Sequence, residues 1–462
     1  MFTDYAWPAT GEPMNAQKRT CLAIVLAAGE GKCMRSARPK VLHELAGRSL
    51  LAHVLNAVAT AGAERVALVV APGHDAVVKE AKSLAPEIEI FVQSPALGTA
   101  HAVLAAKSAI AEGYDDILVA FADTPLVRPE TFARLRAGLE GSGRAVAALG
   151  FLASDPRGYG RLIQEGETLV AIREDRDLRE GEAEIFFCNA GLMAIAGATA
   201  LSLLESIDRS NAQGEYYLTD IVAAARRRGL SAIAIDALEE EVLGINDRQQ
   251  LAAAEAVLQS RLKAAAMQAG VTFLDPSRVT LSYDTQFGRD VLVEPDVFFG
   301  LGVKVGDGAI IRAFSHFVGA EIGPRSSVGP FARLRPGAKL TEDVHIGNFV
   351  EVKASTLGPG VKANHLAYIG DTSVGAKTNI GAGVITCNYD GFAKFRTEIG
   401  EGAFIGVNSA LVAPVKIGDG AYIGTGSVIT EDVAPDALAL ARSHQIEKPS
   451  WAKDFRAKHK KT

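Results

Sequence analysis

Two groups of residues have the types and spacing to do chemistry. The first is the segment LAAGEGKCMRSARPK, residues 26–40. A glycine-rich turn leaving an apolar strand lets backbone N–H groups approach phosphate oxygens closely. The segment lacks the GxxxxGK[ST] spacing of a P-loop, and Met34 breaks the GxGxxG dinucleotide pattern. On spacing alone, a tight strand-to-helix connection explains it equally well. Pro39-Lys40-Val41-Leu42 then brings a lysine back toward the glycine turn. Asp123 follows the apolar run DDILVAF (115–121) and precedes Pro125. A carboxylate at a strand's carboxyl end is placed to hold Mg²⁺ on a nucleotide phosphate. The alternative is an Asp turn before proline.

The second group lies between 335 and 391. Arg335 and Lys353 are cations suited to a phosphate. His365, in KANHLAYIGD, falls where a six-residue pattern is interrupted. A neutral imidazole there can take a proton from an amine, and a structural histidine is the alternative. NIGAGVITCNYDG (379–391) breaks the same pattern with Asn, Tyr and Asp, and loops extruded from solenoids commonly carry function. The basic tail (Lys448, Lys453, Arg456, Lys458, Lys460, Lys461) reads as solvated chain.

The elements that must position these residues fall into two patterns. CLAIVLAAG (21–29) reads as a buried parallel strand. It is followed by helix (49–61), strand (65–71), helix (74–84), strand (88–92), helix (99–110) and strand (115–121). This alternation implies βαβ units and a mainly parallel sheet, with ligands beyond the carboxyl ends of the strands. The 29–39 loop and Asp123 then share one mouth. Residues 246–267, rich in Ala, Leu, Gln and Glu and free of Gly and Pro, read as one long connecting helix.

Beyond Asp275 an apolar residue recurs every six positions: Val293, Phe299, Val305, Ile311, Phe317, then Ile322 through Val352, then Leu357, Ala363, Ile369, Val374 and Ile380. The frame lapses over 385–398 and returns at Ile399, Ile405, Leu411, Ile417, Ile423 and Ile429. Period six fits neither strand alternation nor helix; it fits a parallel β-helix of hexapeptides, three to a coil. Coils stack about 4.8 Å apart, and this length gives seven to eight of them at about 18 residues each. Of the 46 glycines, 24 lie between Gly288 and Gly426, where an even share would be about 14. They are expected at the corners. By itself this pattern gives fold and not function.

Composition excludes several classes. With 48% hydrophobic and 22% charged residues the chain is globular. A net charge of −6 argues against nucleic-acid binding. No apolar signal core or membrane-length segment is present, so no membrane insertion is expected. Cys21, Cys33, Cys188 and Cys387 lie far apart without a CxxC pair, as in a reduced cytoplasmic protein.

The order LAAGxG…PK, Ala-Asp-x-Pro-Leu (122–126), YGR (159–161), NAQGEYYLTD (211–220) and a hexapeptide repeat carrying NIGAGxITCNYDG resembles one bacterial family over about residues 20–446. That family is the bifunctional UDP-N-acetylglucosamine pyrophosphorylase / glucosamine-1-phosphate N-acetyltransferase. The resemblance implies acetyl transfer from acetyl-CoA to glucosamine 1-phosphate in the C-terminal domain. The N-terminal domain then joins N-acetylglucosamine 1-phosphate to UTP with release of pyrophosphate, for peptidoglycan and lipid A. It also implies Mg²⁺, a cytoplasmic location and a homotrimer, which suits a prism with flat faces.

Residue by residue, the resemblance implies that Leu26, Ala27, Ala28 and Gly29 line the uridine by backbone, with Lys40 on phosphate. Gln93, Gly98 and Thr99 read uracil and ribose. Phe121, Ala122 and Asp123 form the strand end, with Asp123 and Asn246 on Mg²⁺. Gly160, Glu174 and Asn189 contact the amino sugar. In the second site Arg335 and Lys353 match the grip on the sugar phosphate, Tyr368 and Asn379 match sugar contacts, and His365 matches the general base. Asn388 and Tyr389 match positions between substrate and acetyl-CoA; Ala382, Lys394, Val407, Thr425 and Arg442 match acetyl-CoA positions.

The chain departs from the family in places. Lys32-Cys33 stands where the family has Thr-Arg, so a phosphate-stabilising cation is missing from the uridylyl site. Ala122, Ala190, Ala367, Val384, Val407 and Thr425 also differ from the usual residues. One consequence is that Lys32 supplies the lost charge at reduced efficiency. Another is a protein that is mainly an acetyltransferase, and a third is a non-catalytic regulatory relative. The expected organisation is a disordered extension (1–19), a Rossmann-like α/β nucleotidyltransferase domain (20–245), a helical linker (246–270), a left-handed parallel β-helix (271–446) and a basic tail (447–462).

Overall fold

The computed structural model describes residues 19–29 and 31–459, without the side chain of Lys32. The expected extension, up to Lys18, and the tail residues Lys460 and Lys461 lie outside the described residues, as does the Lys32 side chain. The chain forms two compact units that divide between Ser260 and Arg261.

In the first unit nine strands form one sheet. They are β1 (Cys21–Ala27), β2 (Arg65–Val70), β3 (Glu89–Val92), β4 (Asp116–Phe121), β5 (Arg144–Leu152), β6 (Arg161–Glu165), β7 (Thr168–Arg173), β8 (Phe187–Ala196) and β9 (Ser231–Ala237). Their order is β3-β2-β1-β4-β8-β5-β9-β7-β6. β1 is parallel to β2 and β4, while β8 runs antiparallel to β4 and β5. All seven residues of β1 are buried, because helices cover both faces. Cys21, Ala23, Val25 and Ala27 enter one core and Leu22, Ile24 and Leu26 the other. Leu26 pairs with Phe121, so the loops leaving β1 and β4 open at one edge.

Local chemistry sets the helix ends. Ser49 Oγ accepts the Ala52 N–H at 3.2 Å and starts the helix Leu50–Thr60. The expected single helix over 99–110 is two, Thr99–Ala105 and Lys107–Ile110. At Ala106 the N–H bonds to Val103 O at 3.1 Å, a tightened turn that ends the first helix. The helix Arg248–Gln268 is 21 residues long and runs across the division between the units.

The second unit is a left-handed β-helix with parallel sheets of ten, nine and eight strands on its three faces. Every apolar position of the six-residue frame lies in one continuous core. The solenoid is longer than the expected seven to eight coils. Its strands extend beyond the Val293–Ile429 frame at both ends, from Thr272–Phe273 and Val279–Thr280 to Leu438–Ala439. The interruption is also narrower than 385–398. Ile385–Cys387 and Thr397–Ile399 are strands in register with their neighbours, so the loop is confined to 388–396. Thr386 occupies the apolar slot, and its hydroxyl accepts the Gly370 N–H at 2.8 Å.

The glycines serve two needs, and the corner is only one of them. Eleven of the 24 between Gly288 and Gly426 have positive φ. Most of the others face the backbone of the next coil. At Gly347 a Cβ would lie 1.9 Å from Asn364 O, and at Gly323 it would lie 2.0 Å from Thr341 O. Many corners are instead filled by other residues with positive φ, among them Asp343, Asp371 and Asn408.

Candidate active sites

In the α/β unit the edge opened by β1 and β4 collects the phosphate-type residues. Ala122 N–H bonds to Leu26 O at 3.0 Å, which locks the ends of the two strands together. Lys40 Nζ forms an ion pair with Asp123 and donates to Asn246 Oδ1 at 3.0 Å. The loop must pass directly over Lys40: a Cβ on Gly31, at φ 61°, would lie 2.6 Å from Lys40 Cβ. Asp123 O accepts the Ile245 N–H at 2.9 Å, and this brings Asn246 to the same edge. Cys33 is exposed in the short turn Lys32–Met34, which Arg248 Nε holds through Met34 O at 3.3 Å.

Two further groups are joined by the NAQGEYYLTD segment. Buried Gln93 donates to Gly98 O at 3.0 Å. Gly98 lies against Tyr216, where a Cβ would sit 2.5 Å from Tyr216 O. Thr99 Oγ1 accepts the Leu218 N–H at 2.9 Å. One residue on, Thr219 donates its hydroxyl to Glu174 Oε1 at 3.0 Å. Asn189 N–H bonds to Gly160 O at 2.8 Å, and Gly160 lies beside Glu174. The segment thus straps the Gln93 group to the Glu174 group. Burial pushes the Glu174 carboxyl above its usual range, against the Thr219 hydrogen bond.

In the β-helix, charged residues converge on successive coils. Arg335 donates to Glu351 at 2.8 Å, and that bond holds its guanidinium in the charged form. Lys353 donates to Asp371 at 3.3 Å, and Asn388 donates to the same carboxylate. Tyr368 Oη accepts from Asn388 at 3.4 Å. Lys394, from the 388–396 loop, stands beside Lys353, and the neighbouring ammonium lowers its pKa. Tyr389 bridges Lys394 at the base of the loop. Three cations around two carboxylates leave net positive charge for a phosphate.

A second set forms a column along one corner. Ala382 O accepts the Asn408 N–H at 2.7 Å, and Val407 O accepts the Gly426 N–H at 2.8 Å. Arg442 Nη1 reaches Thr425 O at 3.0 Å. Ala363 pairs with Ile380, so His365 and Ala382, each two residues further on, stand one coil apart. Asn379 lies three residues before Ala382 in this column of Ala382, Val407 and Thr425. His365 Nδ1 lies 3.0 Å from Asn348 Oδ1. Sequence reasoning missed Asn348, Glu351 and Asp371. The signal that finds them is the coil period, since each stands 16 to 18 residues from the partner it touches.

A nucleotide-type cleft in an α/β sheet, followed by a hexapeptide β-helix with a histidine on one face and a cationic cluster on the next, fits a transferase with two sites. The chain matches the MobA-like NTP transferase domain over residues 23–240 and the bacterial transferase hexapeptide (six repeats) over 396–431. It is 58% identical over 440 residues to the bifunctional protein GlmU of Azorhizobium caulinodans, covering 95% of this chain and 98% of that protein. It is 59% identical to that of Xanthobacter autotrophicus over 96% of this chain and 99% of the relative. For Bradyrhizobium sp. the identity is 60%, over 95% and 98%. The chain belongs to the bifunctional GlmU family. It is a uridylyltransferase and acetyltransferase of UDP-N-acetylglucosamine synthesis. The readings as mainly an acetyltransferase, or as a non-catalytic relative, are not favoured.

Proposed function

We propose that the residues gathered at the two mouths carry the two reactions in the roles the family resemblance gives them. The observation that carries this reading is the convergence of Lys40, Asp123 and Asn246. The Lys40 ammonium lies between a carboxylate and an amide oxygen, so it stands where a cation belongs. Two hard oxygen donors at a phosphate-type loop fit Mg²⁺. Bound there, Mg²⁺ would neutralise charge on the nucleotide phosphates. The backbone from Leu26 to Gly29 lines the uridine, and Lys40 holds a phosphate so that the sugar phosphate of N-acetylglucosamine 1-phosphate meets the α-phosphorus of UTP in line. Gln93, Gly98 and Thr99 orient the base and ribose, and Gly160, Glu174 and Asn189 the amino sugar.

In the second site Arg335 and Lys353 hold the phosphate of glucosamine 1-phosphate, and His365 takes the proton from its amine. The column of Ala382, Val407, Thr425 and Arg442 carries acetyl-CoA toward His365. A homotrimer is supported by the corner between the ten- and nine-stranded faces. There Phe314, Phe331 and Phe349 stack at 4.9 and 5.2 Å, and Leu366 follows; all four are exposed. A ladder of this kind calls for a partner surface. The eight-stranded face instead carries ion pairs such as Lys339–Glu321 and Lys416–Glu398. Four free cysteines support a reducing, cytoplasmic setting; no described helix is long and apolar enough to cross a membrane.

The metal assignment is tested by UTP binding. Affinity measured by calorimetry is expected to rise with Mg²⁺, and Asp123→Asn to remove that dependence. An unchanged dependence in the variant overturns the assignment.

A further inference from the structure

We propose that Asn348 is a positioning residue that fixes the tautomer of His365, so that Nε2 meets the substrate amine unprotonated. The inference rests on the reading of His365 as the amine's base. Local architecture departs from the repeat at this pair. Eight of the ten strands on this face are two residues long. His345–Asn348 and Lys362–His365 run for four. The extension pairs Asn348 with His365 directly, Cα to Cα.

The approach of the two strands is fixed on both sides of the contact. Gly347 has no room for a Cβ beside Asn364 O, at 1.9 Å. Leu366 N–H bonds to Asn348 O at 3.0 Å. Phe349 and Leu366, the next residues, both turn the corner with positive φ of 58° and 50°. The two side chains are therefore held by stacked backbone, and Asn348 Oδ1 meets His365 Nδ1 at 3.0 Å.

An amide oxygen only accepts, so this contact requires the proton on Nδ1. The lone pair is then on Nε2, the nitrogen free to act as a base. As the amine nitrogen bonds the acetyl carbon, its proton passes to Nε2 and coenzyme A leaves as the thiolate. The reverse amide orientation would place the proton on Nε2 and leave no base facing the substrate. No carboxylate stands on the strands that stack on His365. Its own strand carries Lys362, opposite His345, and the next coil offers Asn379–Ile380. Around the corner, Tyr368 contacts Asn388, and Glu351 is engaged by Arg335 and Arg333. Orientation of the ring thus falls to a neutral amide.

The test uses the full chain carrying Asn348→Ala or Asn348→Asp, with acetyl-transfer kcat and KM followed from mildly acid to alkaline pH. Asn348→Ala is expected to lower kcat by about ten- to a hundredfold, with KM for glucosamine 1-phosphate changed by less than about threefold. Asn348→Asp keeps the hydrogen bond and sets a negative charge beside the imidazolium. The acid limb of kcat then moves up by about one pH unit. The thermal transition of the β-helix in the same preparations, expected to match the unchanged chain, reports its folding. A kcat within about twofold in Asn348→Ala, or an unmoved acid limb in Asn348→Asp, overturns the inference. Active His365→Ala would instead overturn the reading of His365 on which it rests.

Discussion

In the α/β unit Lys40 reaches Asp123 across 83 residues of chain and Asn246 across 206. In the β-helix His365 meets Asn348 across 17, and Lys353 meets Asp371 across 18. The first site is assembled by topology, from loops that share an edge only because the strand order brings them there. The second is assembled by repetition, since any residue finds its neighbour one coil away. A loop-built site can change single residues without disturbing its scaffold. A coil-built site shares its backbone with the repeat, so chemistry and stability are altered together.

The sharpest separation of the two sites comes from their central residues. His365→Ala is expected to lower acetyl transfer by about a thousandfold or more and to leave pyrophosphate release from UTP intact. Near-normal thiol release from acetyl-CoA in that variant would sink the assignment. The complementary change, Lys40→Met, is expected to cost uridylyl transfer about a hundredfold and to spare acetylation. If both activities fell together in either variant, the two sites would not be independent.

The contrast in scaffolds is tested by Gly347→Ala. The added Cβ would meet Asn364 O at 1.9 Å, a clash with backbone that no rotamer relieves. The β-helix is expected to lose about 3 kcal/mol, read as a lower unfolding midpoint. Acetyl transfer should fall as well, because the strand carries Asn348. A melt matching the unchanged chain would mean that the coils are looser than the backbone geometry requires.

The same contrast decides what was legible in the sequence. The apolar frame from Val293 to Ile429 was readable because every member is buried in one core. The cleft residues were readable because motifs name them. Thr386 was not: it fills an inward slot with a hydroxyl bonded to Gly370, and an apolar period cannot register it. The six-residue frame did not reach the first coil, although the expected β-helix included it, because the spacing there is irregular: Phe273 and Val279 are six apart but Phe287 is eight further on. Asn348 and Asp371 were missed because small polar residues carry no pattern of their own. Their role appears only when the coil period sets Asn348 against His365 and Asp371 against Lys353.

The smallest expected effect lies in the α/β unit and concerns burial. Glu174 is held above the usual carboxylate range chiefly by desolvation, with Asp220, Asp177 and Asp175 adding to it and the Thr219 hydroxyl opposing. Its folded form binds a proton more tightly than its unfolded form. The stability it contributes is therefore full below the ordinary carboxylate pKa and is lost as pH rises through the raised folded value. At neutral pH the charge is a cost to the fold. Glu174→Gln keeps the acceptor for Thr219 and removes that charge. It is expected to raise the melting temperature of this unit by about 2 °C at neutral pH, with no gain in acid, and to raise KM for N-acetylglucosamine 1-phosphate. The β-helix transition should not move, since nothing in its site depends on Glu174. A gain of equal size at both pH values would show that shape, and not the buried charge, was the source of the strain.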